Sequence, residues 1–404
     1  MKRYVFLTNS IRNMGGAQMY MRNKMTFLRK HGWTPTVYFY NDGIILIPEL
    51  KEFERNRIIE LGYSISVFRK KKVHKIVEKI ASDLNDAEEC VFESHVYHMG
   101  YWAEEIARRL NGRSVLYFLH EGFPAYNSNE ERFMLFKLDR GEFMNPTKSI
   151  EILLGKKWEN EKGFIMPSYS NVTAPLDYNI DYNRSYKSIL SLGRLDKPYI
   201  IPMLKEIVEF TIKTEEKVNL FFIGGAAEES YISSIKSFLQ DKELIIPYFL
   251  GYMFPVPENI IKAADVAIAS SGSVLVPTEN GVPTIAIDTQ DYMAMGIYGI
   301  NTENTFTRTT EPLLKVSDLL ISVLKEGKYR DIKAKPSSAS LDAEVILQSH
   351  LEIIESLDTP KVYYDVYNIY SKKEIAKQQV KKIAYQIFGE NLGLKISKIL
   401  RKFI

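Results

Sequence analysis

The chain has 404 residues, 45% of them apolar and 25% charged, which predicts a folded protein of two or three domains and excludes fibrous or largely disordered classes. A single cysteine, Cys90, rules out an intrachain disulfide and a cysteine-based zinc site, and fits a reducing compartment. The formal net charge of +3 argues against nucleic acid as a partner of the whole surface, and no apolar run reaches the ~18 residues of a membrane span.

Short apolar runs alternate with longer amphipathic ones. The spacing predicts a strand over 4–8, a helix over 17–31, and strands over 36–40 and 64–68. A helix over 73–84, a strand over 90–93, a helix over 101–110 and a strand over 114–119 follow. The run at 1–8 reads as this first strand, since Asn9, Ser10 and Arg12 cut it short of a signal peptide's apolar core. The polar stretch 177–187 reads as a linker, after which the alternation restarts. Strands are expected at 188–192, 218–223, 266–269 and 284–287, and helices at 202–214, 229–240, 259–264 and 312–325. This is the pattern of an α/β fold with two Rossmann-like halves, in which ligands sit at the carboxyl ends of the strands. The expected domains are 1–180 and 188–340, followed by a C-terminal stretch 341–404.

From Ser371 onward Lys372, Lys373, Lys377, Lys381, Lys382, Lys395, Lys398, Arg401 and Lys402 face only Glu374 and Glu390, a balance of +7. Val380, Ile383, Ala384, Ile387 and Phe388 share a helical face, and Ile396, Ile399, Leu400 and Phe403 resume the stripe after an expected break at 389–393. Such a basic amphipathic tail, 371–404, suits an anionic membrane surface, packing on the first domain, or a partner helix.

Four segments could carry chemistry. Gly15-Gly16-Ala17 lies between the first strand and its helix, where amides can face an anion or merely turn tightly. Gly193-Arg194-Leu195-Asp196-Lys197 follows a strand and offers a planar fork and a point charge to a diphosphate, or is a solvated loop. Ser270-Ser271-Gly272-Ser273 precedes a helix and reads as an N-cap or an anion turn, with Glu279 further along as a ribose acceptor or a surface residue. His120-Glu121-Gly122, and His95 with His98, follow strand ends. A His-x-x-His metal pair is conceivable, but HExxH, DxD, GxGxxG and the P-loop pattern are all missing.

In this order the pieces resemble the GT-B glycosyltransferases, most closely the bacterial family 4 enzymes (glycosyl transferases group 1), over roughly residues 2–357. The resemblance rests on Gly15-Gly16-Ala17-Gln18, Glu93-Ser94-His95, Leu119-His120-Glu121 and Gly193-Arg194-Leu195 with Lys197. It continues through Phe221-Phe222-Ile223-Gly224-Gly225, Phe249-Leu250-Gly251-Tyr252, Ala264-Asp265-Val266, Ser270–Ser273 and Gly281-Val282-Pro283. Three positions depart from the family. Counting back eight from Glu279 reaches Ser271, where the family carries a second glutamate, and Glu279 stands only two residues before Gly281. Lys197 also follows Arg194 more closely than is typical.

The resemblance implies two Rossmann-like domains facing a cleft, with the helices of 341–404 returning to the first, in an enzyme of bacterial cell-surface polysaccharide synthesis that is cytoplasmic or held at the inner face of the cell membrane. It would move a sugar from a nucleotide-diphosphate sugar to a glycan or lipid-linked acceptor without a metal or cofactor. Arg194, Lys197 and His120 would be catalytic. Gly15, Gly16, Gly224, Ser271, Gly272, Ser273 and Glu279 would bind the donor. His95 and Glu121 would lie on the acceptor side, with Glu93 a further choice of base for an inverting enzyme. The alternatives are a catalytically inactive GT-B partner or chaperone and a GT-B nucleotide-sugar epimerase.

Overall fold

The computed structural model describes residues 1–12, 14–117, 128–144, 172–226, 228–329 and 343–400. The chain divides into two compact units, Met1–Pro167 with Asp342–Ile404, and Ser168–Leu341.

The first unit begins with β1 (Lys2–Thr8), α1 (Gly16–Lys30) and β2 (Trp33–Phe39). After 3-10 turns come α2 (Lys70–Asp83), β3 (Glu89–Ser94), α3 (Tyr97–Leu110), β4 (Arg113–Tyr117), α4 (Ser128–Asp139) and β5 (Phe143–Met144). The strands form one parallel sheet in the order β2-β1-β3-β4-β5. Tyr4 to Leu7 and all of β4 are buried, as expected for strands covered on both faces. In α2, Val73, Ile76, Val77 and Ile80 repeat at helical spacing and are the residues that turn inward.

The strand expected at 64–68 is absent. Ile65–Val67 is a 3-10 turn, and Ile65, Val67 and Phe68 enter the core without joining a strand ladder. Their apolar alternation reflects burial beneath Trp102, whose indole N–H donates to the Tyr63 carbonyl at 2.9 Å.

The second unit holds β6 (Thr173–Ala174), β7 (Lys187–Leu192), α5 (Ile200–Thr214), β8 (Val218–Ile223), α6 (Glu229–Leu239) and β9 (Ile245–Gly251). Then come β10 (Val256–Pro257), α7 (Glu258–Lys262), β11 (Val266–Ala269), α8 (Leu275–Glu279), β12 (Thr284–Ile287), β13 (Ala294–Ile297) and α9 (Val316–Leu320). The main sheet runs β13-β12-β11-β7-β8-β9, parallel except for the β12–β13 pair. From β7 the chain steps outward through β8 and β9, then crosses back to place β11 on the other side of β7. The boundary between β7 and β11 is therefore the topological switch point, where open α/β sheets bind ligands. The helix expected over 312–325 starts later, at Val316, and ends in a π turn over Ile321–Lys325.

The C-terminal segment returns to the first unit through α10 (Ala343–Ser356) and α11 (Lys372–Leu400). Arg113 donates to the carbonyls of Ile354 and Leu357 at 2.8 and 3.0 Å. Tyr363 donates to the Gly112 carbonyl, Tyr367 to Glu105 and Tyr370 to Glu130, at 2.8, 2.9 and 2.5 Å. α11 is one helix with no break at 389–393, because two glycines four apart lower helix propensity without removing a backbone donor. Ala384 is buried and Tyr385 packs on the core, while Ile383 and Ile387 are 53% and 66% exposed. Among its described residues, the tail's apolar stripe is thus divided between the protein and solvent.

Candidate functional site

Four loops of the second unit leave the carboxyl ends of neighbouring strands at or beside the switch point. After β7, Gly193 turns the chain with φ 138°, a conformation glycine adopts without strain. Its N–H donates to the Ile223 carbonyl at 2.9 Å, and the Leu195 N–H donates to the Gly225 carbonyl at 2.8 Å. After β8, Gly224 also has φ 138° and donates to the Gly251 carbonyl at 2.8 Å. A Cβ on Gly224 would stand 1.9 Å from the Gly193 carbonyl oxygen, and one on Gly225 would stand 2.4 Å from the Tyr252 ring. Gly224 thus lets the loops after β7 and β8 approach backbone to backbone, and Gly225 leaves room for the Tyr252 ring.

Arg194 is half exposed, and its Nε and Nη2 donate to the two carboxylate oxygens of Asp196 at 2.9 and 2.7 Å. The Asp196 side chain is only 7% exposed. Two tyrosines surround it: burial and the Asp196 charge both push the hydroxyls of Tyr199 and Tyr252 above their ordinary range. Lys197 is half-buried in the same loop, and its carbonyl accepts the Ile200 N–H that starts α5.

The loop after β11 meets this group from the other side. Ser273 Oγ lies 3.4 Å from the position a Cβ would take on Gly193. The expected helical N-cap has a different form. Ser271–Val274 is a 3-10 turn leading into α8, and Ser271 has the left-handed φ of 57°. The Ser271 N–H donates to the Thr305 carbonyl at 2.6 Å, so this amide is engaged within the chain. The hydroxyls of Ser270 and Ser271 are buried and make no hydrogen bond. Such groups suit a polar ligand at the turn. Gly272 lies in the first turn, where helical geometry supplies its amide with no acceptor. Glu279 is the last residue of α8 and is exposed.

Sequence reasoning missed the segment that covers Ser271. Glu311 accepts from Thr302 Oγ1, Asn304 Nδ2 and the Thr309 N–H at 2.7, 2.5 and 2.9 Å. These bonds outweigh its burial and hold its carboxyl down at about 2. Buried Asp288 accepts the N–H groups of Gln290 and Arg308, both at 2.7 Å. The Thr289 N–H donates to the Phe306 carbonyl at 3.0 Å. The only sequence signal was a cluster of Thr, Asn and Glu, residues that bond their own backbone in turns.

In the first unit, Gly15 is the extended N-cap of α1 and Gly16 its first residue. The Gly15 carbonyl accepts the Met19 N–H at 3.1 Å, and Gln18 Nε2 donates to the Ser10 carbonyl at 2.7 Å. His95 is 2% exposed, and its Nε2 lies 2.9 Å from Glu93 Oε1. Glu93 also accepts from Tyr4, Tyr20 and Lys24 at 2.5, 2.9 and 2.5 Å. Burial pushes the Glu93 carboxyl up, but Lys24 and His95 outweigh it and hold the group well below the usual range. The structure therefore places His95 and Glu93 in a buried polar cluster. Burial, helped by the Lys381 charge, pushes His98 down to about 3, so it stays neutral at physiological pH. Among the described residues, no group of three or more His, Cys, Asp or Glu could hold a metal. His120 and Glu121 lie outside the described residues.

No family model matches the sequence, and no curated protein matches it. Solved structures do. A glycosyltransferase from Rickettsia africae is 14% identical with a TM-score of 0.59, over 88% of this chain and 98% of that one. HepE from Anabaena, solved in complex with UDP-glucose, is 12% identical with a TM-score of 0.58, over 88% of this chain and all 100% of that one. A protein from Listeria monocytogenes named as a UDP-N-acetylglucosamine 2-epimerase is 13% identical with a TM-score of 0.52, over 89% and 98%. The fold is that of the GT-B proteins. At these identities the likeness concerns architecture, and family 4 membership is an expectation from the motifs alone.

Proposed function

We propose that this chain is a glycosyltransferase that moves a sugar from a nucleotide-diphosphate sugar to a glycan or lipid-linked acceptor. The carrying observation is the convergence of the Arg194 loop, the Gly224-Gly225 loop and the buried, unsatisfied Ser270 and Ser271 hydroxyls around the β7–β11 switch point. Negative charge grows on the diphosphate as the glycosidic bond breaks. Arg194, Lys197 and the Gly272 amide are assigned to stabilise that charge, Gly224 to shape the floor, and Ser271 and Ser273 to bind through their hydroxyls. Gly15, Gly16, His120 and Glu121 keep the roles the resemblance implies. Removing one well-placed donor costs about 10²–10³ in rate, so Arg194→Ala should keep less than a tenth of the activity.

The test is a panel of UDP-, GDP-, ADP- and CMP-sugars followed by NMR, with and without acceptor. Transfer that requires acceptor supports the proposal, and the anomer formed reports retention or inversion. Isomerised donor without acceptor would assign a nucleotide-sugar epimerase. Absence of both binding and turnover would assign an inactive partner protein.

The exposed Ile383 and Ile387 on a lysine-rich helix support a second assignment, contact of α11 with an anionic membrane surface. Among the described residues, no helix is long and apolar enough to cross a membrane.

A further inference from the structure

We propose that Asp196 is the positioning residue of the diphosphate site, holding the Arg194 guanidinium in the orientation that receives the anion. The inference rests on the nucleotide-sugar reading above.

A carboxylate three-quarters of the way through a five-residue loop that should attract phosphate is at first sight misplaced. Its geometry explains it. Arg194 is half exposed and Asp196 nearly buried, so the acid lies beneath the base. Both carboxylate oxygens are used, on Nε and Nη2, which fixes the plane of the guanidinium by two bonds. That pair engages two of the five N–H donors a guanidinium carries. Leu195 anchors the loop between the two partners, buried and bonded through its N–H to Gly225. An arginine held this way has lost its rotamer freedom before ligand arrives, and binding costs less ordering. The opposing effect is repulsion between Asp196 and a phosphate. The adjacent Arg194 charge offsets that repulsion and Asp196 in turn offsets part of the Arg194 attraction; we assign the larger effect to positioning, and the sign of the Asp196→Ala change decides it.

The experiment is calorimetric titration of the full chain with UDP and with uridine. The variants are Asp196→Ala, Asp196→Asn, Arg194→Ala and the Asp196→Ala/Arg194→Ala pair. Asp196→Ala should weaken UDP about tenfold, the effect of losing a charge-assisted hydrogen bond, and leave uridine unchanged. Asp196→Asn, which keeps one acceptor, should recover part of the loss. In the Arg194→Ala background, where the Arg194 charge no longer offsets Asp196, Asp196→Ala should weaken UDP no further and should tighten it by removing that repulsion. Tighter UDP binding by Asp196→Ala, equal losses for UDP and uridine, or full additivity of the two alanines would overturn the proposal. If the unaltered chain binds none of UDP, GDP and ADP while its fold is intact, the nucleotide reading itself fails first; if it binds GDP or ADP in place of UDP, the same variants are read with that nucleotide and its nucleoside.

Discussion

An added Cβ on Gly224 would lie 1.9 Å from the carbonyl oxygen of Gly193, so the loops after β8 and β7 touch through bare backbone. No neighbouring side chain can rotate away to relieve that contact. Gly224→Ala must therefore shift one strand end, in addition to straining a residue at φ 138°. We expect a loss of roughly 2 kcal/mol or more in urea unfolding, together with loss of UDP binding. Gly251→Ala is the control: φ is 73° but nothing lies within 4 Å of the added carbon, and the cost should be about 1–2 kcal/mol from conformation alone.

The Lys24–Glu93 pair is buried in the first unit, with the Lys24 ammonium 4.9 Å from the Tyr4 ring centre and 5.4 Å from that of Tyr20. Burial pulls Lys24 below its ordinary value against the pull of Glu93. With four donors on the carboxylate, the ionised pair is the state we assign. Lys24→Met leaves the carboxylate uncompensated and should cost about 3–5 kcal/mol, whereas Lys24→Met with Glu93→Gln should recover part of that loss. The pH dependence follows in sign. Glu93 titrates lower in the folded chain than in the unfolded one, so its contribution is present above the ordinary carboxylate range and is lost as pH falls below it. Urea midpoints at pH 7 and pH 3.5 should converge between the unaltered chain and Glu93→Gln; a constant gap would contradict this.

Much of the fold was legible because it depends on local periodicity. The apolar runs at Tyr4–Leu7, Leu220–Ile223 and Val266–Ala269 are strands, and the i, i+3, i+4 stripe of α2 is a helix. The segment at 64–68 misled because alternation signals half-burial, and a 3-10 turn under Trp102 produces that as well as a sheet does. The short strands β5, β6 and β10 have two residues each and leave no periodic signal. At the site, the glycine and arginine positions were readable. The Asp196 clasp and the Thr305 contact were not, since each depends on where a side chain or a distant loop comes to rest.

Glu311 fastens the segment that caps the Ser271 amide. Glu311→Ala removes an acceptor shared by five donors, and we expect hydrogen exchange across 302–311 and at Ser271 to accelerate while global stability falls by only about 1–2 kcal/mol. The anchoring should persist down to acidic pH, because the carboxyl is held at about 2. Unchanged exchange at Ser271 would show that the Thr305 contact is maintained by other bonds.

The tail can be tested without knowing the acceptor. The full chain should pellet with vesicles rich in anionic lipid at low salt, and less so at high salt as screening weakens the lysines. Ile383→Asp with Ile387→Asp should abolish pelleting with little effect on folding, since both side chains face solvent. Undiminished pelleting by that variant would assign the helix to packing or to a protein partner.

The most direct test of the central claim is a titration of the isotope-labelled chain with UDP, read through backbone amide resonances. Binding at the switch point predicts saturable shifts concentrated at Gly193–Lys197, Gly224-Gly225 and Ser270–Ser273. Saturable shifts that fall elsewhere would contradict it, as would none at millimolar UDP, GDP and ADP alike.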